Sequence, residues 1–158
     1  MKIFTTQSTI LDDLTVGVEN NRLTDLICSA SLPRSGYMRE VQDELTRAVF
    51  RQLNEYFDGS LRSFDMPLAY TGTPFQVAVW EAVMTIPYGE TRSYLDIAIQ
   101  VGNPRAARAV GNANHECPIS IVIPCHRVIA SDGSIGGYGE GGLRTKQFLL
   151  DLERVTGC

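Results

Sequence analysis

Ser93-Tyr94-Leu95-Asp96-Ile97-Ala98-Ile99-Gln100-Val101-Gly102-Asn103-Pro104-Arg105-Ala106-Ala107-Arg108-Ala109-Val110-Gly111 is the stretch that decides the fold. Ser93 is an N-cap residue ahead of a short apolar helix carrying Leu95, Ile97, Ala98 and Ile99. Gly102 breaks that helix. Asn103-Pro104 opens a second one, predicted over 104–115, with Pro at the first helical position. Two short helices joined by a tight Gly-containing turn have the form of a helix-turn-helix. The second helix carries small residues, Ala106, Ala107, Gly111 and Ala113, with Arg105 and Arg108 as the long side chains among them. Two readings stand: close helix packing with solvated arginines, or a helix thin enough for a DNA groove with Arg108 projecting from it. The minor groove is only ~6 Å wide, which suits small residues, and arginine suits narrow grooves or a gap in the base stack.

Upstream, Thr73-Pro74 marks another helix start, with Phe75, Val79, Ala82, Val83 and Ile86 as its buried stripe and Pro87 as its end. Trp80 reads as core rather than as a platform for a ligand. Residues 61–72 read as a linker punctuated by Pro67 and Gly72. The first half, residues 1–70, reads as a scaffold domain. Val16-Gly17-Val18-Glu19 and Leu23 to Cys28 are strands with Asn20-Asn21 as the turn. Met38, Val41, Leu45, Val49, Leu53 and Phe57 predict one face of a long helix, and Gly59 its stop. The chain is thus expected to be α+β or α/β: a small mixed sheet-plus-helix domain over 1–70, then a domain containing the helix-turn-helix over 71–158.

Downstream of the two helices, Ile119-Ser120-Ile121-Val122-Ile123 is a β-branched apolar run that predicts a buried strand. It leads into Pro124-Cys125-His126-Arg127-Val128. A Cys beside a His after a buried run is a nucleophile candidate, because the thiolate is the reactive form and needs a base or cation to produce it. A buried structural Cys with a satisfied core His is the alternative, and the pair alone slightly favours it, since neighbours on a strand point to opposite faces. Zinc binding by His115, Cys117, Cys125 and His126 lacks a C-x-x-C and would need a chain reversal, so no metal site is expected. Gly133, Gly136, Gly137, Gly139, Gly141 and Gly142 surround Tyr138 in a loop. That loop is either plain flexible chain or a backbone surface that lets a flat ligand approach closely, and it does not have the order of a P-loop. A last helix from Leu143 carries Phe148, Leu149, Leu150 and Leu152. Glu153 near its end is either solvated or the carboxylate that orients His126.

The whole chain has 158 residues, 44% hydrophobic and 20% charged, and a net charge of −4. That is an ordinary globular composition, with no run long and apolar enough for a membrane span and no signal-peptide core. A cytoplasmic location, or a nuclear one in a eukaryote, is the expectation. Cys28, Cys117, Cys125 and Cys158 lack disulfide-framework spacing, so reduced thiols are expected. The acidity argues against nucleic acid until its distribution is read: residues 92–108 hold Arg92, Arg105 and Arg108 against Asp96 alone. A local basic face would make few phosphate contacts and bind modestly.

The stretches Gly72-Thr73-Pro74-Phe75-Gln76, Val79-Trp80, Ile86-Pro87-Tyr88-Gly89-Glu90-Thr91, Ser93-Tyr94, Ala107-Arg108-Ala109-Val110-Gly111, Ile123-Pro124-Cys125-His126-Arg127-Val128 and Gly136-Gly137-Tyr138, in that order, resemble the O6-alkylguanine-DNA alkyltransferases. The resemblance covers residues 72–153 and touches the first half at Leu53-Asn54-Glu55-Tyr56-Phe57 and Phe64-Asp65-Met66-Pro67-Leu68; it implies a small N-terminal α/β domain followed by a C-terminal winged-helix-like (helix-turn-helix) domain. It implies DNA repair by irreversible, single-turnover transfer of an alkyl group from O6-alkylguanine, with O4-alkylthymine a further substrate, to Cys125. By that resemblance His126 acts through a water as the base, Glu153 orients it, and Tyr94 presses on the target phosphate and protonates the departing guanine. Arg108 is the finger that fills the space of the flipped nucleotide. Ala107, Gly111, Asn103 and Ser131 are implied DNA contacts, and Tyr138, Gly139, Ser120 and Gly136 implied pocket residues. Arg127 is implied to be structural. No cofactor is implied; the implied partner is double-stranded DNA carrying the lesion, met by a monomer without a membrane.

Two departures stand out. Cys117 occupies the position, before Pro118, where the family commonly has Asn, and cysteine is a weak substitute in hydrogen bonding. Glu140 lengthens the loop after Tyr138 by one residue. The first half also has no ligands for the zinc site of some members, with no His and only Cys28. A competing reading is a lesion sensor of the alkyltransferase-like kind, which lacks the Cys; Cys125 weighs against it. A thiol-based redox or metal protein is the third.

Overall fold

The structure, a computed structural model, describes residues 2–11, 13–28, 37–38, 43–136 and 142–156. The chain divides into two compact units, Met1–Tyr70 and Thr71–Cys158.

Among its described residues the first unit is a four-stranded sheet with one helix. Strands β1 (Ile3–Ser8), β2 (Asp13–Glu19) and β3 (Arg22–Cys28) pair antiparallel, and β4 (Tyr37–Met38) adds parallel to β1, in the order β3-β2-β1-β4. Asn20 and Asn21 turn the β2–β3 hairpin at φ 51° and 58°, the left-handed conformation that such a two-residue turn needs and Asn tolerates. The chain returns to the sheet at residues 67–69, where Leu23 N donates to Pro67 O (2.8 Å) and Ala69 N to Leu23 O (2.9 Å). Helix α1 (Glu44–Phe57) is capped by Asp43, which accepts from Thr46 N, and buries Val49, Phe50, Leu53, Tyr56 and Phe57. The helix is shorter than its apolar spacing predicts. Met38 instead pairs with Phe4 in the sheet, and Val41 lies outside the described residues.

Among its described residues the second unit holds four α-helices and a two-stranded parallel pair, β5 (Arg92–Ser93) with β6 (Val128–Ile129). Helix α2 (Pro74–Met84) starts in a capping box of Thr73 and Gln76. Trp80 is buried on it and donates Nε1–H to Ala113 O at 2.8 Å, so its indole is satisfied within the core. Helix α3 (Tyr94–Gln100) starts in a second capping box, Ser93 with Asp96. After the turn at Gly102, φ 86°, comes α4 (Ala107–His115), which packs on α3 and α2. Its first turn is later than the proline predicts, and Ala113 points into the core, leaving Ala107 and Gly111 half-buried beside exposed Arg108. Helix α5 (Gly142–Thr156) closes the unit. No described helix is long and apolar enough to cross a membrane.

Residues 119–123 do not form the predicted strand. Ile123 N donates to Ile119 O (3.0 Å) and Val122 N to Ser120 O (2.8 Å), so the segment coils into a turn. Ile121 sits at φ 73°, a conformation costing a β-branched residue about 1–3 kcal/mol. The run is apolar because Ile119, Ile121 and Ile123 are all buried, and burial alone explains the composition that resembled a strand.

Candidate active site

The turn delivers Pro124 into a single 3₁₀ turn, Cys125–Arg127, whose three side chains are all buried. On a strand, Cys125 and His126 would face apart; on this turn they, with Arg127, sit against α5. From α5, Glu153 reaches back. Its Oε2 lies 2.7 Å from His126 Nε2. Arg127 forks onto the same carboxylate, Nε to Oε1 at 2.8 Å and Nη2 to Oε2 at 3.0 Å, while its Nη1 donates to Ile86 O at 2.7 Å. Arg127 thus ties α5 to the end of α2 through one side chain, with its guanidinium 5.6 Å from the Tyr88 ring centroid.

These contacts set the proton positions. Burial pushes the His126 imidazole below its ordinary value, against the opposing pull of Glu153, and the charges of Arg127 and Lys146 push it lower still. Burial alone would raise Glu153, but hydrogen bonds from His126 and Arg127 and the charges behind them hold it well below the usual carboxylate range. The ring is therefore neutral beside a carboxylate. A neutral ring can bond to a carboxylate only through N–H, so the proton is on Nε2 and the lone pair on Nδ1. Nδ1 is buried and has no hydrogen-bond partner among the described residues. A basic nitrogen of fixed tautomer beside a cysteine is the base half of a nucleophile–base–orienter set.

Cys125 itself is 1% exposed. The Cys117 thiol donates a hydrogen bond to its sulfur; that bond, burial and the Cys125 charge push Cys117 well up, so it stays protonated. Asn114 braces both: its Nδ2 donates to Cys125 O (2.9 Å) and its carbonyl accepts from Cys117 N (3.3 Å). Lys146, fully buried on α5, donates to Val128 O at 2.6 Å and approaches Tyr94 OH at 3.4 Å. Burial lowers its amine to about 8, although the negative charge of Cys125 pulls the other way.

Tyr94 connects this interior to the surface. It lines an open cleft of about 690 Å³ together with Leu95, Ala107, Arg108, Gly111, Asn112, His115, Ala130 and Ser131. A Cβ on Gly136, at φ 70°, would stand 2.7 Å from Tyr94 OH, so only glycine lets the loop pass that close.

The structure thus brings together Cys125, His126, Glu153, Arg127 and Cys117 in the interior, and Tyr94, Ala107, Arg108, Gly111 and Ser131 around the cleft, with Gly136 against Tyr94. Asn103 lies exposed in the turn before α4, and Ser120 is buried in the 119–123 turn; neither lines the cleft. Tyr138, Gly139 and Glu140 lie outside the described residues. His115, one of the four residues weighed for zinc, faces the cleft, and no group of His, Cys, Asp or Glu among the described residues could hold a metal ion. Sequence reasoning missed Lys146 and Asn114. Lys146 carried a signal, because it shares the apolar face of α5 with Leu149 and Glu153 at spacings of three and four.

A family model described as the DNA-binding domain of 6-O-methylguanine DNA methyltransferase matches residues 74–155, just over half of the chain. The constitutive methylated-DNA–protein-cysteine methyltransferase of Bacillus subtilis is 42% identical over 99% of this chain and 98% of its own. That of Methanosarcina barkeri is 59% identical over 68% of this chain and 67% of its own. Among solved structures, Mycobacterium tuberculosis OGT in complex with DNA superposes with a TM-score of 0.90, at 43% identity, over 98% of this chain and 94% of that one.

Proposed function

This chain belongs to the 6-O-methylguanine DNA methyltransferase family, and from that premise we propose that it repairs DNA by moving an alkyl group from the O6 of guanine onto Cys125. As a methylated-DNA–protein-cysteine methyltransferase it makes a thioether that nothing nearby reverses, so each molecule acts once. The observation that carries the assignment of Cys125 is the neutral, carboxylate-held His126 beside it, with Nδ1 unengaged.

The chemistry divides among the residues described. Cys125 gives its proton to His126 Nδ1 through a water, and Glu153 stabilises the imidazolium that results. The sulfur attacks the alkyl carbon; the S–C bond forms, and the C–O bond breaks with its electron pair going to the guanine. Tyr94 OH returns a proton to the base, and Lys146, within 3.4 Å and titrating near 8, replaces the phenol's proton. Arg108 enters the duplex from α4, with Ala107 and Gly111 allowing close approach and Ser131 lining the same cleft. Flipping is required because O6 lies within the stack, at a cost of a few kcal/mol. The protein acts as a monomer on the DNA-bearing compartment's lesions, O6-alkylguanine first.

Incubation with duplex DNA carrying O6-methylguanine, followed by peptide mass analysis, tests this. One methyl on the Cys125 peptide, and no more than one lesion lost per molecule, is the expected result. Tight lesion binding without transfer would make the chain a sensor, and multiple turnovers would remove Cys125 as the terminal acceptor.

A further inference from the structure

We propose that Cys117 and Cys125 are a peroxide-modification site, forming a reversible disulfide that protects the acceptor sulfur from terminal oxidation. The sulfurs are already in hydrogen-bond contact. Their backbones are held to one residue, Cys117 N on Asn114 O and Cys125 O on Asn114 Nδ2, at 3.3 and 2.9 Å. The intervening segment is a turn closed by the Ile123 N to Ile119 O bond, which returns position 125 toward position 117. From contact, the sulfurs must close to about 2.05 Å, the length of a disulfide.

The two thiols have complementary parts. Cys125, beside a base and a buried ammonium, attacks one oxygen of a peroxide; the O–O bond breaks, hydroxide leaves, and a sulfenic acid remains. Cys117 then attacks that sulfur. The S–S bond forms, the S–O bond breaks, and the departing hydroxide takes the Cys117 proton as water. Two thiols lose two electrons and one peroxide gains two, giving two waters. Left alone, a sulfenic acid proceeds to irreversible sulfinic and sulfonic acids. Cys125 is nearly inaccessible, but a site that admits an alkylated base admits peroxide; that access argument rests on the alkyl-acceptor reading above.

The test exposes the full-length wild type and Cys117→Ser to hydrogen peroxide, without DNA. Alkyl transfer is read before treatment, after it, and after a dithiol reductant, alongside non-reducing peptide mass analysis. Wild type should lose transfer, show the residue-117 and residue-125 peptides linked with loss of two hydrogens, and regain nearly all activity on reduction. Cys117→Ser should gain two or three oxygens on Cys125 and fail to recover. A wild type carrying only oxygen adducts on Cys125, or a bridge from Cys125 to Cys28 or Cys158, overturns the proposal; so does full recovery of Cys117→Ser. If the variant does not fold, the wild-type linkage decides alone. Absence of transfer in the untreated, reduced protein counts against the repair reading and leaves the linkage result standing.

Discussion

Glu153 carries more of the site than any other single residue, since one buried carboxylate answers both His126 and the Arg127 fork. Removing its charge strands a buried guanidinium, and losing one partner of such a pair costs on the order of 3–5 kcal/mol. Glu153→Gln should therefore lower stability by that order in urea unfolding and also slow transfer, because the imidazolium loses its counter-charge. The carboxyl is held below its ordinary 4.5, so the stability it contributes is whole above that pH and is lost as pH falls from there through its lowered native value. Acid unfolding of Glu153→Gln should show a flatter decline below 4.5 than the wild type. Lys146 gives a slope of the same sign in an alkaline window, although there it is the charged form that burial disfavours. Its native value is lowered from 10.5 to about 8, so between those the unfolded chain binds the extra proton and stability rises with pH. Transfer should decline over the same range as the ammonium behind Tyr94 is lost. Lys146→Met should abolish both trends, read as the difference between wild-type and variant pH profiles; a wild-type rate that stays flat from pH 7 to 10 contradicts the relay.

At the scale of elements, what was legible in the sequence is what local chemistry dictates. Thr73 and Ser93 announced α2 and α3 through caps that need only three residues to read, and Ser93→Ala should cost about 1 kcal/mol in thermal unfolding for that reason. The 119–123 turn was illegible because a β-branched apolar run looks the same whether it pairs in a sheet or plugs a core, and nothing local declares Ile121 at φ 73°. Strand β1 was missed because its burial does not alternate cleanly: Phe4 and Thr5 are both buried. In the site, residue types offered Cys125, His126 and Glu153 as candidates and the family resemblance gave them roles, whereas Asn114 acts only through what the turn brings beside it. Gly136 is a case where chain order and geometry agree. Gly136→Ala puts a Cβ against the Tyr94 ring and hydroxyl at a positive φ, so it should slow transfer by displacing the phenol while leaving α2 and α5 intact by circular dichroism; an unchanged rate would mean Tyr94 is not needed where it sits.

The whole molecule registers the reaction through charge and volume together. Before transfer, once it has given up its proton, Cys125 offers a negative charge that supports buried Lys146 and accepts the Cys117 hydrogen bond. Afterwards the sulfur is a neutral thioether carrying extra atoms in a space where Cys125 is 1% exposed and Cys117 7%. Overpacking of this kind costs typically about 1–3 kcal/mol, and an alkylated sulfur can no longer ionise to compensate the buried ammonium. The affected groups belong to the 3₁₀ turn, to α5 and to the approach from α4, so the cost falls on the contacts that hold the second unit together rather than on a loop. Calorimetry before and after reaction with one equivalent of O6-methylguanine DNA should show Tm falling by roughly 2–4 °C for each kcal/mol lost. Benzyl transfer should lower it further than methyl transfer, because the overpacking grows with the group while the charge loss is the same. A Tm that stays level or rises with the larger group would mean that the acceptor sulfur is not in the packed interior that this structure gives it.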